Sequence, residues 1–252
     1  MDASLRFLPY SLIASLCLAS PQARAATYAA KASHGWIVDA STREPLAGVV
    51  VVAQWALSYG LEGGSGYSWV VRETVTGADG RFDFAAWGPT PMPAFLPPEA
   101  RLKERDPRIV YFKDGYAGTQ MSQSQADKEY ARPVEYPTAG PRVREWFLNG
   151  ETFAYRSAAG DPDRVAVEVH SFDLFLTSLR GSPCLYLEIP RALQALRKAR
   201  ERLKAEEPKA SERFRYGRPA YDKWLIGGAA AEAEQKKQCG TTAREALERT
   251  QR

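Results

Sequence analysis

Histidine and carboxylate side chains are the groups from which most catalytic and metal sites are built. The 252-residue sequence has two histidines, His34 and His170, and neither has a further ligand at metal-binding spacing. The carboxylates of Asp161-Pro162-Asp163 lack the additional oxygen ligands of a calcium loop, so that segment favours a turn. We therefore expect a protein that is not an enzyme and has no catalytic residue, metal or cofactor.

Aromatic residues are concentrated between Trp55 and Trp87. Aromatic faces stack on sugar rings, and they also fill protein cores. A carbohydrate site and ordinary packing are therefore both open interpretations of this group. The possible ligand-contact aromatics are Tyr59, Tyr67, Trp69 and Trp87.

The N-terminal 25 residues have the organisation of a secretory signal peptide. Residues 7–19 are apolar, and Ala23-Arg24-Ala25 offers small residues for cleavage before Ala26. An uncleaved membrane anchor is the alternative, although the apolar run is shorter than the ~20 residues that span a bilayer. We predict a periplasmic or secreted protein with no transmembrane segment after cleavage.

The cysteines are interpreted in the light of this export. Cys17 leaves with the signal peptide, so Cys184 and Cys239 remain as an even pair in an oxidising compartment. We predict a disulfide between them, which closes about 55 residues and restricts the unfolded chain by roughly 4 kcal/mol in the loop-entropy model. Two buried free thiols are the alternative.

The composition is that of an ordinary soluble globular protein. Hydrophobic residues make up 44% and charged residues 25% of the chain, which argues against wholesale disorder. The 34 basic and 30 acidic residues leave a net charge of +4. That balance is too even to imply a nucleic-acid partner or an anionic membrane.

The N-terminal part of the sequence predicts several strands, and these strands would position a binding site. Residues 49–57 form a β-branched strand that can be buried on one or both faces. Residues 74–84 predict a hairpin, with a turn at 77–80 and with Phe82 and Phe84 alternating with polar residues. Further strands are predicted over 34–39, 68–76, 108–113, 144–148 and 165–169.

Two of these segments follow a recognisable spacing, roughly G-x-V-x-D-x-x-T-x-x-P-L-x-G-x-x-V and then T-x-T-D-x-x-G-x-F. The matching positions are Gly35, Ile37, Asp39, Thr42, Pro45, Leu46, Gly48, Val51, Thr74, Thr76, Asp79, Gly80 and Phe82. The pattern resembles the carboxypeptidase regulatory-like domain family of exported bacterial proteins, which has a prealbumin-like, immunoglobulin-like β-sandwich. Gly77 departs from it, because the family often has Asp there.

The resemblance implies an antiparallel β-sandwich over residues 26–169. By fold analogy it also implies a non-catalytic binding or structural module of the cell envelope, with an envelope protein or a glycan as partner. A carbohydrate-binding module that uses the loop aromatics is one alternative. A prealbumin-type hydrolase or dioxygenase is another. The hydrolase needs several active-site His and Arg residues, and the dioxygenase needs two Tyr and two His ligands, which the 12 tyrosines and two histidines of the chain supply in number alone.

Residues 170–252 predict a C-terminal α-helical segment. Apolar residues take helical spacing after Ser171, and a second helix begins near Pro190. Thr242 and Glu245 have the spacing of a capping box.

Proline-rich segments interrupt the strands at two places. Residues 88–98 predict an extended surface excursion, because prolines remove the backbone donors that a central strand needs. Residues 119–141 predict a long loop that is either a binding loop or a simple insertion.

Overall fold

The computed structural model describes residues 26–60, 65–102, 107–117, 140–146, 148–179, 181–213 and 228–249. Residues 1–25, the predicted signal peptide, lie outside the described residues. Strands occupy the first part of the described chain and helices the last. The strands are β1 (Thr27–Ala30), β2 (Ser33–Asp39), β3 (Val50–Tyr59), β4 (Ser65–Val75), β5 (Arg81–Phe84), β6 (Trp87–Pro91), β7 (Arg101–Leu102), β8 (Arg108–Phe112), β9 (Tyr116–Ala117), β10 (Arg142–Arg144) and β11 (Thr152–Ser157).

Within the described residues these strands form three sheets. Their orders are β10-β1-β6, β5-β2-β11-β9 and β4-β3-β7, and β8 also pairs with β3. Most neighbours are antiparallel, but β10 runs parallel to β1 and β11 runs parallel to β2. The expectation of a purely antiparallel arrangement is therefore wrong, because both strands return only after connections long enough to cross over.

Strand β3 lies in the middle of the molecule. Residues 50–57 are all buried, as the β-branched run allowed. Val51 and Trp55 join one hydrophobic cluster with residues of the other sheets, whereas Val52 joins a second cluster with the helices. The sheet that contains β3 is therefore covered on both faces, which explains its apolar sequence.

The predicted hairpin at residues 74–84 is corrected. Strand β4 pairs with β3, whereas β5 pairs with β2, so the turn at 77–80 joins strands of two different sheets. Phe82 and Phe84 are buried in the cluster between these sheets. The alternation of Phe82 and Phe84 with polar residues shows that one face of the strand is buried. This pattern is the same whether the turn closes a hairpin or connects two sheets.

Polar side chains of the sequence pattern stabilise backbone turns through hydrogen bonds. The Thr76 hydroxyl donates to the Leu46 carbonyl at 2.6 Å and accepts from the Val49 N–H at 2.9 Å. One Asp39 carboxylate oxygen accepts from the Ser41 N–H at 2.8 Å. Hydrogen bonds from the hydroxyl and N–H of Ser41 lower the pKa of Asp39 to about 2. These positions have structural roles, so the pattern bears on fold rather than on chemistry.

Helices cover the outer face of the β3 sheet, and the Phe112 and Phe172 rings stack there at 4.6 Å. No helix in the described ranges is long and apolar enough to cross a membrane. The helices are α1 (Pro162–Ser178), a 3-10 turn (Leu185–Glu188), α2 (Pro190–Glu206), α3 (Pro208–Arg213), α4 (Gly228–Cys239) and α5 (Ala243–Arg249).

Helix α1 corrects the predicted strand at 165–169 and the predicted start at Ser171. The helix begins where Asp161 accepts a hydrogen bond from the Arg164 N–H at 3.0 Å, with Pro162 in the first turn. Val165 and Val169 are buried four residues apart, as helical packing requires. Residue 169, the expected end of the strand region, therefore lies inside a helix.

The later helical predictions are confirmed. Helix α2 begins at Pro190. Before α5, the Glu245 N–H donates to the Thr242 hydroxyl at 3.1 Å, and the Thr242 N–H donates to the Glu245 carboxylate at 3.2 Å. This is the reciprocal geometry of a capping box.

Candidate functional site

The two histidines lie on different secondary-structure elements. His34 lies on β2, where its ring meets that of Trp36 edge-on at 5.3 Å, and His170 lies within α1. In the part of the chain that the structure describes, no group of three or more His, Cys, Asp or Glu residues could hold a metal ion. The features that bear on function are instead an aromatic surface and a cleft beside it.

The structure brings the four predicted aromatic residues against one hydrophobic cluster. Tyr59, Tyr67, Trp69 and Trp87 are each half-buried on it. The Trp69 and Trp87 rings meet edge-on at 5.4 Å, and Tyr67 meets Phe95 edge-on at 5.3 Å. We call these five residues the aromatic face. Edge-on contacts between aromatic rings are favourable and hold the ring orientations.

A β-bulge places Trp69 in this group. Trp55 pairs with Val70, but the next residue, Ala56, pairs with Ser68, so Trp69 is the extra residue of β4. A bulge redirects a side chain and disturbs the ladder locally. Trp69 consequently reaches Tyr28, with ring centroids 5.7 Å apart, as well as Trp87. The sequence has no local signal for this bulge, and its effect appears only in the strand pairing.

Phe95 is the member of the aromatic face that the sequence interpretation missed. Its side chain is 70% exposed, although it lies in a loop whose two ends, Met92 and Ala100, are buried. The Leu96 N–H donates to the Pro93 carbonyl at 3.1 Å, which closes a turn around it. The predicted surface excursion at residues 88–98 is therefore a loop that is anchored at both ends and exposes one aromatic ring to solvent.

A cleft of about 200 Å³ adjoins the aromatic face along β4. One wall is formed by Trp69 and Arg72, and the other by residues 182–188. Across it, the Arg72 guanidinium donates to the Glu188 carboxylate at 2.5 Å, with the two side chains 51% and 44% exposed. We call this the β4 cleft, and Trp69 belongs to both features.

A disulfide fixes the outer wall of the β4 cleft. The sulfurs of Cys184 and Cys239 are bonded at 2.01 Å, with Cα atoms 5.6 Å apart, as the cysteine count predicted. Cys184 lines the cleft, and its N–H donates to the Ser182 hydroxyl at 3.1 Å. Cys239 ends α4, so the same bond attaches that helix to the cleft wall.

A buried polar contact joins α1 to the strands. The Tyr155 hydroxyl donates to the Glu168 carboxylate at 3.2 Å, and the Tyr111 ring lies 4.9 Å from that of Tyr155. Burial, together with the nearby Glu168 charge, raises the pKa of Tyr111 to about 12. Both tyrosines are buried, so this cluster holds two layers together and offers no open site.

A further cavity of about 260 Å³ lies between Asp114 and α2. Arg202, one of its lining residues, donates to both oxygens of Asp114, at 2.6 and 2.7 Å. Asp161, Glu206 and Glu207 also line this cavity, so among the described lining residues acidic groups outnumber the guanidinium. Residues 118–139, which include most of the predicted loop at 119–141, lie outside the described residues.

No protein-family model, curated protein or solved structure matches this chain. The resemblance to the carboxypeptidase regulatory-like family therefore rests on the sequence pattern alone.

Proposed function

We propose that this protein is an exported, non-catalytic binding module of the cell envelope, with a prealbumin-like β-sandwich related to carboxypeptidase regulatory-like domains. The observation that carries the proposal is the aromatic face, above all Phe95, whose ring is 70% exposed. Aromatic side chains that are grouped at a surface, as Phe95 and Tyr67 are, commonly anchor binding partners.

The loop that holds Phe95 suits a binding anchor. Its ends are buried, and prolines flank the exposed ring on both sides, at Pro93 and Pro97. Association costs less conformational entropy when the contacting residue is already held in place. Tyr67, edge-on to Phe95, extends the surface that a partner can cover.

Export is supported by two independent features. The sequence begins with a signal-peptide pattern at residues 1–25. Cys184 and Cys239 are joined in a disulfide, a bond that persists in oxidising compartments such as the periplasm and the cell exterior. A binding module in that location has envelope proteins and glycans within reach.

The test is affinity capture from cross-linked envelope with the mature, tagged protein. Capture is repeated with Phe95→Ala, and with Leu174→Ala as the matched control, because Leu174 is a 53% exposed apolar residue on α1. We expect one protein or glycan to be recovered with wild type and Leu174→Ala and to be lost with Phe95→Ala. Equal recovery with all three proteins would contradict the proposal.

A prealbumin-type enzyme is the competing function. An activity screen on the same protein addresses it, because such an enzyme depends on its histidines. Turnover that disappears when His34 or His170 is replaced by Ala, but persists with Phe95→Ala, would replace the binding proposal.

A further inference from the structure

We propose that the β4 cleft binds one pyranose ring of a neutral glycan, with Trp69 as the stacking platform. This inference rests on the proposed binding function and names its ligand class. The cleft contributes both chemical features that a sugar ring requires. Trp69 supplies an aromatic surface for the C–H face of the ring, and Arg72, Ser182 and Glu188 supply hydrogen-bonding groups for its hydroxyls.

The size of the cleft limits what can occupy it. About 200 Å³ is below the ~300–1,000 Å³ that drug-sized ligands fill, so the space suits one small ring. An extended peptide would have to add along the edge of β4, where Ser68 is already bridged to Gly181. Farther along the strand, the Glu73 carboxylate accepts hydrogen bonds from the Arg191 and Ala192 N–H groups at 2.8 Å, which brings the start of α2 against β4.

The charges of the cleft favour a neutral ligand over an anion. Arg72 and Glu188 are paired across the opening, so their charges cancel where a ligand would enter. A phosphate or a uronic acid would meet the Glu188 carboxylate, which repels it. Sugar hydroxyls both donate and accept, so two of them can engage the guanidinium and the carboxylate together.

The aromatic face extends the same site beyond one ring. Tyr67 lies two residues before Trp69 on β4, packs against the same cluster and holds Phe95 at 5.3 Å. Adjacent sugar units of a chain can therefore stack on Tyr67 and Phe95 while one ring occupies the cleft. Oligosaccharides should consequently bind more tightly than their monosaccharides.

The disulfide acts as a positioning element for this site. Cys184 forms part of the wall opposite Trp69, and its bond to Cys239 fixes that wall. Replacing both cysteines by Ser should weaken glycan binding while keeping Trp69, Arg72, Ser182 and Glu188, the side chains proposed to contact the sugar.

The experiment titrates the mature, oxidised protein with cellotetraose, maltotetraose and chitotetraose, followed by calorimetry and tryptophan fluorescence. Trp69→Ala and Arg72→Gln should each weaken binding of the preferred tetrasaccharide about tenfold or more, the change expected when a charged hydrogen bond or stacking contact is lost. The matched controls are Trp36→Ala, another half-buried tryptophan, and Arg81→Gln, whose guanidinium pairs with Asp83 at 2.7 Å. Both controls should bind as wild type does.

Two outcomes would overturn the inference: no binding of any of the three neutral tetrasaccharides, or binding that Trp69→Ala and Arg72→Gln leave unchanged. If Trp69→Ala fails to fold, Arg72→Gln carries the test, because the Arg72 side chain is 51% exposed. Failure here is distinguishable from failure of the binding function. A protein partner whose capture still depends on Phe95 would leave that function standing while removing the glycan.

Discussion

The strand region around Thr76 and the helical region around α4 are stabilised by different means. In the strand region, side chains bond to backbone turns close to buried strands, as the Thr76 hydroxyl does with Leu46 at 2.6 Å. In α4, none of residues 230–239, whose side chains the structure describes, is buried. The first region is held by hydrogen bonds and packing within a core, and the second by a covalent bond between Cys184 and Cys239.

The difference shows what a disulfide contributes in this fold. A 12-residue helix in which none of the described side chains, those of residues 230–239, is buried is marginal in water on its own. Besides the disulfide, α4 meets α5 through polar contacts, such as Lys236 with Glu245 at 2.8 Å, and exposed ion pairs add little. We infer that α4 depends on Cys239, whereas the strands would survive without it.

Removing the disulfide should have the largest effect on the difference between α4 and the strand region. Cys184→Ser combined with Cys239→Ser should lower the free energy of unfolding by about 2–4 kcal/mol, because the unfolded chain loses its restraint. In hydrogen exchange, amides of α4 should become the least protected, while those of β3 keep their relative protection. Uniform loss of protection across α4 and β3 would show that the two regions are not distinct.

High pH should destabilise the buried contact of Tyr111 and Tyr155 with Glu168, which joins the strands to α1. The pKa of Tyr111 is raised to about 12, so the folded state favours its neutral hydroxyl. The resulting stability is fully present below pH ~10, the ordinary tyrosine value, and is lost as pH rises toward ~12, by roughly 2–3 kcal/mol. Urea unfolding between pH 9 and 12 measures this loss, and Tyr111→Phe should reduce it.

Ionisation of Tyr155 should also contribute to the loss of stability at high pH. Burial also raises its pKa, so part of the alkaline loss should remain in Tyr111→Phe. Tyr116, which is half-exposed, provides the matched control, and Tyr116→Phe should change the alkaline profile less. If Tyr111→Phe loses as much stability between pH 9 and 12 as wild type does, Tyr111 does not contribute to the alkaline loss.

Most of the strand region could be predicted from the sequence because its signals are local. The β-branched run of β3 and the alternation of Phe82 with Phe84 report burial directly. Which strands pair could not be read, since alternation is the same in a hairpin and in a connection between sheets. The alternating valines before Ser171 likewise fit a helix, because Val165 and Val169 are four residues apart.

The sequence named only part of the candidate site. Trp69 was named from the concentration of aromatic residues and the cysteine pair from the predicted export, whereas Arg72, Ser182 and Glu188 carried no signal in the sequence. Their meeting in one cleft depends on the β4 bulge and on a bridge between Ser68 and Gly181, which are far apart in sequence. Phe95 was missed because a proline-rich segment predicts exposure without indicating which side chain is held in place.

Thr76→Val is the smallest change that tests the strand region. The variant keeps the shape of the side chain but leaves the Val49 N–H without the Thr76 hydroxyl, so unfolding should become easier by about 1–3 kcal/mol. Thr74→Val, at a half-exposed position of β4 two residues before Thr76, should stay within about 0.5 kcal/mol of wild type. The free energies come from urea unfolding at pH 7 with the disulfide intact. If both variants unfold alike, the Thr76 bonds do not distinguish this region, and packing alone must stabilise the turns.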